Sequence, residues 1–178
     1  VPAAGPSIYF EDFTMNSITR RFLAVTALAV TGLAGLGSGG PARAATPGED
    51  GIVRVRSAYP MDETIARIRA DIAAKDILFF QAIDQSQLAA KAGIALRPST
   101  LLEFGNPPLG AQFLTANPNA GLDWPVRLLV SQDEAGQVWA TWTDFAWIAR
   151  RHGITNRQEQ FATATGVVES ITSTLRPR

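Results

Sequence analysis

Chemistry in this chain has few residues to draw on. Its 178 residues include one histidine and no cysteine. That removes thiolate nucleophiles, disulfides and thiolate metal sites, and it leaves almost nothing for a zinc centre. His152 is the one side chain whose ordinary pKa lies near neutral pH. It stands just before Gly153 at the end of a predicted helix, where the dipole favours an imidazolium, so a capping role fits it better than proton transfer. Neither Ser57 nor Ser99 lies in a G-x-S-x-G context, and nothing reads as a triad. Carboxylates can work in pairs, and Glu103 and Asp123, with Arg97, are the candidates for a hydrolase- or lyase-type site. Alternation places Glu103 with Leu101, opposite Leu102 and Phe104, which also describes a plain solvent-facing position.

A binding site has more to draw on. In Gly105-Asn106-Pro107 a strand turns into a helix, where free backbone N–H groups can hold an anion and glycine permits close approach. Arg97 could grip a carboxylate while Asn106 and Asp123 orient polar groups. The alternative is structural: a turn, an Asn106 cap, and an Arg97–Asp123 ion pair. Trp139 falls on the polar face of its strand with Gln137 and Thr141, a position that marks a pocket or an interface. Arginine stems from Arg54, Arg56 and Arg127, which alternate out of their strands, could equally cover it. Such a face could pair with a second copy, so a homodimer is the expected assembly. No metal and no cofactor are implied. Metal or haem handling would rest on that single histidine and Met61.

Composition narrows the partners. Sixteen basic residues balance sixteen acidic ones, 46% of residues are hydrophobic and 18% charged. This is a globular composition without the basic footprint that nucleic acid demands. The expected partner is therefore a small molecule or a protein, not a nucleic acid.

The elements that must position these residues begin after a compositional break. Thr19-Arg20-Arg21 precedes an apolar run from Phe22 to Leu36, then Gly37 to Pro41 and Ala42-Arg43-Ala44. These are the parts of a secretory signal peptide, residues 15–44, with cleavage after Ala44. The paired arginines before Phe22-Leu23 are similar to a twin-arginine export signal. The apolar run is shorter than the ~20 residues a spanning helix needs, so no transmembrane segment is expected in the mature chain. Residues 1–14 read as an upstream extension, 45–178 as one domain, and the destination as the bacterial periplasm or exterior.

Within 45–178, Ile52–Ser57 alternates as a half-buried strand, and Met61, Ile65, Ile68 and Ile72 recur at helical spacing. Ile77–Ile83 is a dense β-prone run, read as an interior strand. Asp84 opens a short helix that Gly93 closes. Thr100–Phe104 is a strand, and Asn106 and Pro107 start a helix. Val126–Gln132 and Gln137–Thr143 flank the turn Asp133-Glu134-Ala135-Gly136. Asp144 caps another helix, and Phe161, Ala164, Val168, Ile171 and Leu175 share one face of the last. The order βαβαβαββαα predicts one α+β domain, a mixed sheet covered by helices.

Two stretches in this order are familiar. Leu96-Arg97-Pro98-Ser99-Thr100-Leu101-Leu102-Glu103-Phe104-Gly105-Asn106-Pro107 resembles the central signature of the domain-of-unknown-function 302 family. Leu122-Asp123-Trp124-Pro125-Val126-Arg127-Leu128-Leu129-Val130 resembles its second signature, with Trp124 where leucine is usual. Met61 to Phe80 and Phe145 to Thr155 are similar too, so the resemblance runs from about Gly51 to Leu175. It implies a small α+β fold and no established activity, and the signal peptide marks this chain as a small exported bacterial member. Many members carry histidine after the aspartate that ends the second strand, whereas here Gln85 follows Asp84. Together these readings describe an exported non-catalytic domain that binds a small molecule or partner, with the carboxylate enzyme as the alternative.

Overall fold

The computed structural model describes residues 47–176. The expected extension, signal peptide and Ala44 cleavage point lie outside the described residues. Five strands form one sheet: β1 (Ile52–Arg56), β2 (Leu78–Asp84), β3 (Ser99–Gly105), β4 (Val126–Gln132) and β5 (Val138–Thr143). Between and after them run α1 (Met61–Ala74), α2 (Gln85–Lys91), α3 (Pro107–Ala116), a 3-10 helix over Pro118–Asp123, α4 (Phe145–Arg151) and α5 (Gln158–Ser173). The α+β class and the β-α order are those the sequence predicts. The strands lie in the order β1-β5-β4-β3-β2. All four neighbouring pairs are antiparallel, which refines the expected mixed sheet. β1 and β2 run in the same direction, but they occupy opposite edges and never meet.

Strict alternation divides the sheet into two faces. Val53, Val55, Leu102, Phe104, Leu128, Val130, Ala140 and Trp142 are buried on one. Ile68 and Ile72 of α1, and Phe161, Ala164, Val168 and Ile171 of α5, are buried in the same core, as their helical spacing predicts. Asp62 and Glu63 stand in the first turn of α1, where the dipole favours them. Phe113 of α3 stacks on Phe161 with ring centroids 4.3 Å apart.

One expectation fails. The run read as an interior strand is β2, at the edge of the sheet, and Leu78 and Phe80 are 52% and 49% exposed. An uncharged β-prone run mimics a strand covered on both faces. Here α1 carries the chain across the sheet from β1, and β3, β4 and β5 then fill the space between. A register irregularity between Phe79 and Gln81 leaves Phe80 without a β3 partner.

Glycine placement shows how tightly the α3 end is packed. A Cβ added at Gly105 or Gly110 would clash with the Trp124 ring, whereas one at Gly166, inside α5, would meet nothing within 4 Å. Two alanine substitutions should therefore differ in sign. Gly110→Ala should cost about 1–3 kcal/mol from overpacking, and Gly166→Ala should stabilise by up to about 1 kcal/mol from helix propensity. Urea denaturation of the two variants measures both.

Candidate functional site

The polar residues gather at the two ends of the sheet rather than in one cleft. At one end Asp123, the last residue of the 3-10 helix, is a hub whose side chain is only 5% exposed. Its Oδ2 lies 2.7 Å from His152 Nε2, and Arg151 Nη1 donates to both oxygens at 3.1 and 3.2 Å. Arg127 Nη2 donates to Oδ1 at 3.2 Å and to the Leu122 carbonyl at 2.7 Å. The His152 backbone carbonyl accepts from Asn117 Nδ2 at 2.8 Å. One carboxylate thus ties the 3-10 helix, β4 and the end of α4 together.

His152 follows α4 as its cap, as expected, and its backbone N–H closes on Ile148 and Arg150. Its ring turns away to Asp123 and is 6% exposed. That pairing crosses 29 residues and has no local sequence pattern. Arg127 stands four residues after Asp123, a spacing the sequence does display. Both partners also lie in the stretches that carry the family resemblance.

The arrangement holds better than it reacts. Asp123 already accepts from three side chains, so it has little capacity left to take a substrate proton. Beside it opens a cleft of about 10 Å³ that Arg127, Thr143 and Phe145 help to line, room for about one water molecule. Glu103 faces Arg127 across the β3–β4 ladder and accepts from Gln81 Nε2 at 2.7 Å. Glu103 and Asp123 thus flank the same arginine.

Asn106 caps α3, its Oδ1 accepting from the Leu109 N–H at 3.1 Å. The anion cradle expected there has no donors to offer. Pro107 and Pro108 lack N–H groups, Leu109 is bonded to the Asn106 side chain, and Gly110 N–H bonds to the Asn106 carbonyl. Trp124 fills the space in front of Gly105 that close approach would have used.

Arg97 lies at the other end of the sheet, beyond a seven-residue strand that spans roughly 20 Å. Its ion-pair partner is Glu134, at 3.5 Å and with both side chains exposed, in place of the expected Asp123. Such a pair contributes little. Trp139 is nearby, and its Nε1 donates to Asp133 Oδ2 at 2.8 Å. Asp133 Oδ1 accepts from the Ala135 and Gln137 N–H groups and so shapes the hairpin turn. The structure therefore brings Arg97 and Trp139 to one end, Asn106 and Asp123 to the other, and joins none of the four directly.

The ladders show what connects the two ends. On the sheet face opposite the helix-packed core, one row runs Arg54, Thr141, Leu129, Leu101, Ile83. A second runs Arg56, Trp139, Ser131, Ser99, and a third carries Arg127, Glu103 and Gln81. Leu129, Leu101, Ile83 and Trp139 are partly buried, while Arg54, Arg56 and Arg127 are exposed. An apolar stripe with an arginine rim thus crosses this face. Among the described residues there is no group of three His, Asp or Glu side chains placed to hold a metal ion.

The Trp139 hydrogen bond has a titration signature. It is the largest of the effects that hold the Asp133 carboxyl below its ordinary value of 3.8, followed by the bond from Gln137 N–H. A carboxyl depressed in the folded state stabilises the fold above its unfolded pKa, and that contribution disappears as pH falls through the folded value. Trp139→Phe should move the Asp133 titration back up toward 3.8, as followed by carboxyl NMR. An unmoved midpoint would show that the indole is not the cause.

Comparison with known proteins agrees with this fold. The family model described as "Domain of unknown function DUF302" matches residues 53–171. A protein of Brucella suis biovar 1 named "Fluoride-specific ion channel FluC 1" is 37% identical over 106 residues, 60% of this chain and 42% of that protein. A "Fluoride-specific ion channel FluC 2" of Brucella melitensis is also 37% identical over 106 residues, covering 60% of this chain and 39% of its own. The chain thus spans about two fifths of the curated relatives it matches. A crystal structure of an uncharacterised conserved DUF302 protein from Bacillus stearothermophilus superposes with a TM-score of 0.65. It is 19% identical and covers 71% of this chain and 98% of its own, a likeness of fold.

Proposed function

The chain belongs to the DUF302 family, and from that premise we propose that it is a non-catalytic binding module whose working surface is the arginine-rimmed sheet face. The observation that carries this reading is the ladder itself. It sets Leu129, Leu101 and Ile83 side by side and places Arg54, Arg56 and Arg127 around them. Small-molecule sites are concave and enclosed, whereas an open face bearing tryptophan and arginine has the chemistry of a protein interface. The arginines select an acidic partner, and the apolar stripe selects one that also carries aliphatic side chains.

The alternative enzyme would need Glu103, Asp123 and Arg97 to converge. Arg97 stands at the far end of β3 from the hub, and Asp123 is already engaged by His152, Arg127 and Arg151. The binding reading takes the hub as the brace that holds Arg127 at the rim of the face. The relatives named as fluoride-specific ion channels extend well beyond the region they share with this chain. A domain that accompanies another functional unit is consistent with a binding module. Export through the twin-arginine-like segment, with residues 45–178 as the working domain in the periplasm or exterior, completes the proposal.

Three synthetic peptides test it: alternating Leu–Glu, Leu–Lys and Leu–Ser, titrated against the protein by Trp fluorescence and calorimetry. The acidic peptide should bind at least tenfold more tightly than the other two, and added salt should weaken it. Arg54→Ala with Arg56→Ala should lower that affinity about tenfold, a loss of about 1.4 kcal/mol. Equal binding of the Leu–Glu and Leu–Lys peptides would reject the proposal.

A further inference from the structure

The large apolar side chains that remain exposed are not scattered. Six are exposed among the described residues, and five of them, Leu78, Phe80, Leu88, Ile94 and Leu96, fall within residues 78–96. That segment is β2, α2 and the loop into β3. It forms one edge of the sheet, and α2 buries none of its own residues. Clustered apolar exposure of this kind marks an interface.

The two edges of the sheet differ in kind. Exposed strand edges are commonly protected by charge, proline or a bulge, because their unpaired N–H and C=O groups template another strand. β1 carries the exposed Arg54 and Arg56. β2 has neither charge nor proline from Leu78 to Ile83. Its one irregularity turns Phe80 outward rather than shielding the edge. Asp84, where the charge resumes, is occupied in starting α2, accepting from Ser86 Oγ and the Gln87 N–H.

We propose that the β2 edge binds a second copy of this chain, two β2 strands pairing antiparallel about a two-fold axis into one ten-stranded sheet. Charge decides between this arrangement and stacking of the open faces. Face-to-face stacking would bring the exposed arginines of each copy onto a surface with the same arginine excess. Edge pairing brings together strands whose outer stretch is uncharged, and a two-fold presents each copy with the same self-complementary surface. Five half-exposed apolar side chains from each copy, together with the strand backbones, bury on the order of 1,000 Å², the threshold for a specific interface. β2 borders the arginine-rimmed face at Ile83 and Gln81, but Trp139 on β5 and Arg54 and Arg56 on β1 lie three and four strands away, so dimerisation and acidic-peptide binding can fail separately.

Sedimentation velocity of the full chain tests the proposal, with Leu78→Lys/Phe80→Lys as the β2 variant and Arg54→Ser/Arg56→Ser as the control at the other edge. The wild type and the control should sediment as dimers at about 10 µM, and the β2 variant as a monomer with an unchanged far-UV circular dichroism spectrum. A monomeric wild type, or a β2 variant that still dimerises, would overturn it. Should the lysine variant not fold, the chain's lack of cysteine supplies a second measurement. Single cysteines placed in turn along Leu78–Ile83 should yield one position that oxidises to a covalent dimer, because a two-fold sets one residue opposite its own image. No cross-link at any position would contradict the pairing.

Discussion

A five-stranded sheet has two faces and two edges, and the buried helical core of this chain fills one face. Every other feature depends on that asymmetry. Burying Ile68, Ile72, Val168 and Ile171 against Leu102, Leu128, Val130 and Ala140 fixes the phase of each strand. A slip of one residue would exchange the two faces completely. With the phase fixed, Arg54, Arg56, Arg127, Leu129, Leu101 and Trp139 must stand on the opposite side. The open face is thus a consequence of the core rather than a separate design.

The Asp123 hub follows the same logic at smaller scale. A nearly buried carboxylate is tolerable when each oxygen has partners, and here a histidine and two arginines supply them. Removing Asp123 would leave His152 buried without its partner and release Arg127 from the end of β4. The hub therefore reads as bracing that orients a surface, and its chemistry is spent within the protein. The hairpin at the far end is built on the same principle, with Asp133 holding both its own turn and the indole of Trp139.

Much of this was legible in the sequence because periods of 2 and 3.6 are written directly in it. The strand phases, the buried face of α5, the Asn106, Asp84 and Asp144 caps and the β4–β5 turn all follow from local chemistry. What escaped is what depends on strand order. Ile77–Ile83 has the composition of a central strand, and only the placement of β3, β4 and β5 makes it an edge. The Asp123–His152 bond and the Arg97–Glu134 pair are likewise set by which ends of the sheet meet, and no spacing announces them. Gly105 was expected to let a ligand approach the backbone, whereas the group packed against it is Trp124 of the same chain.

The central claim is that the arginine-rimmed face, not the helical layer, is the surface that meets a partner. Hydroxyl-radical footprinting of the protein with and without bound Leu–Glu peptide tests it most directly, because oxidation reports side chains one by one. Trp139, Leu129 and Leu101 should be protected, with the exposed side of α1 unchanged. Protection confined to α1 or α5, with Trp139 equally oxidised in both samples, would contradict it.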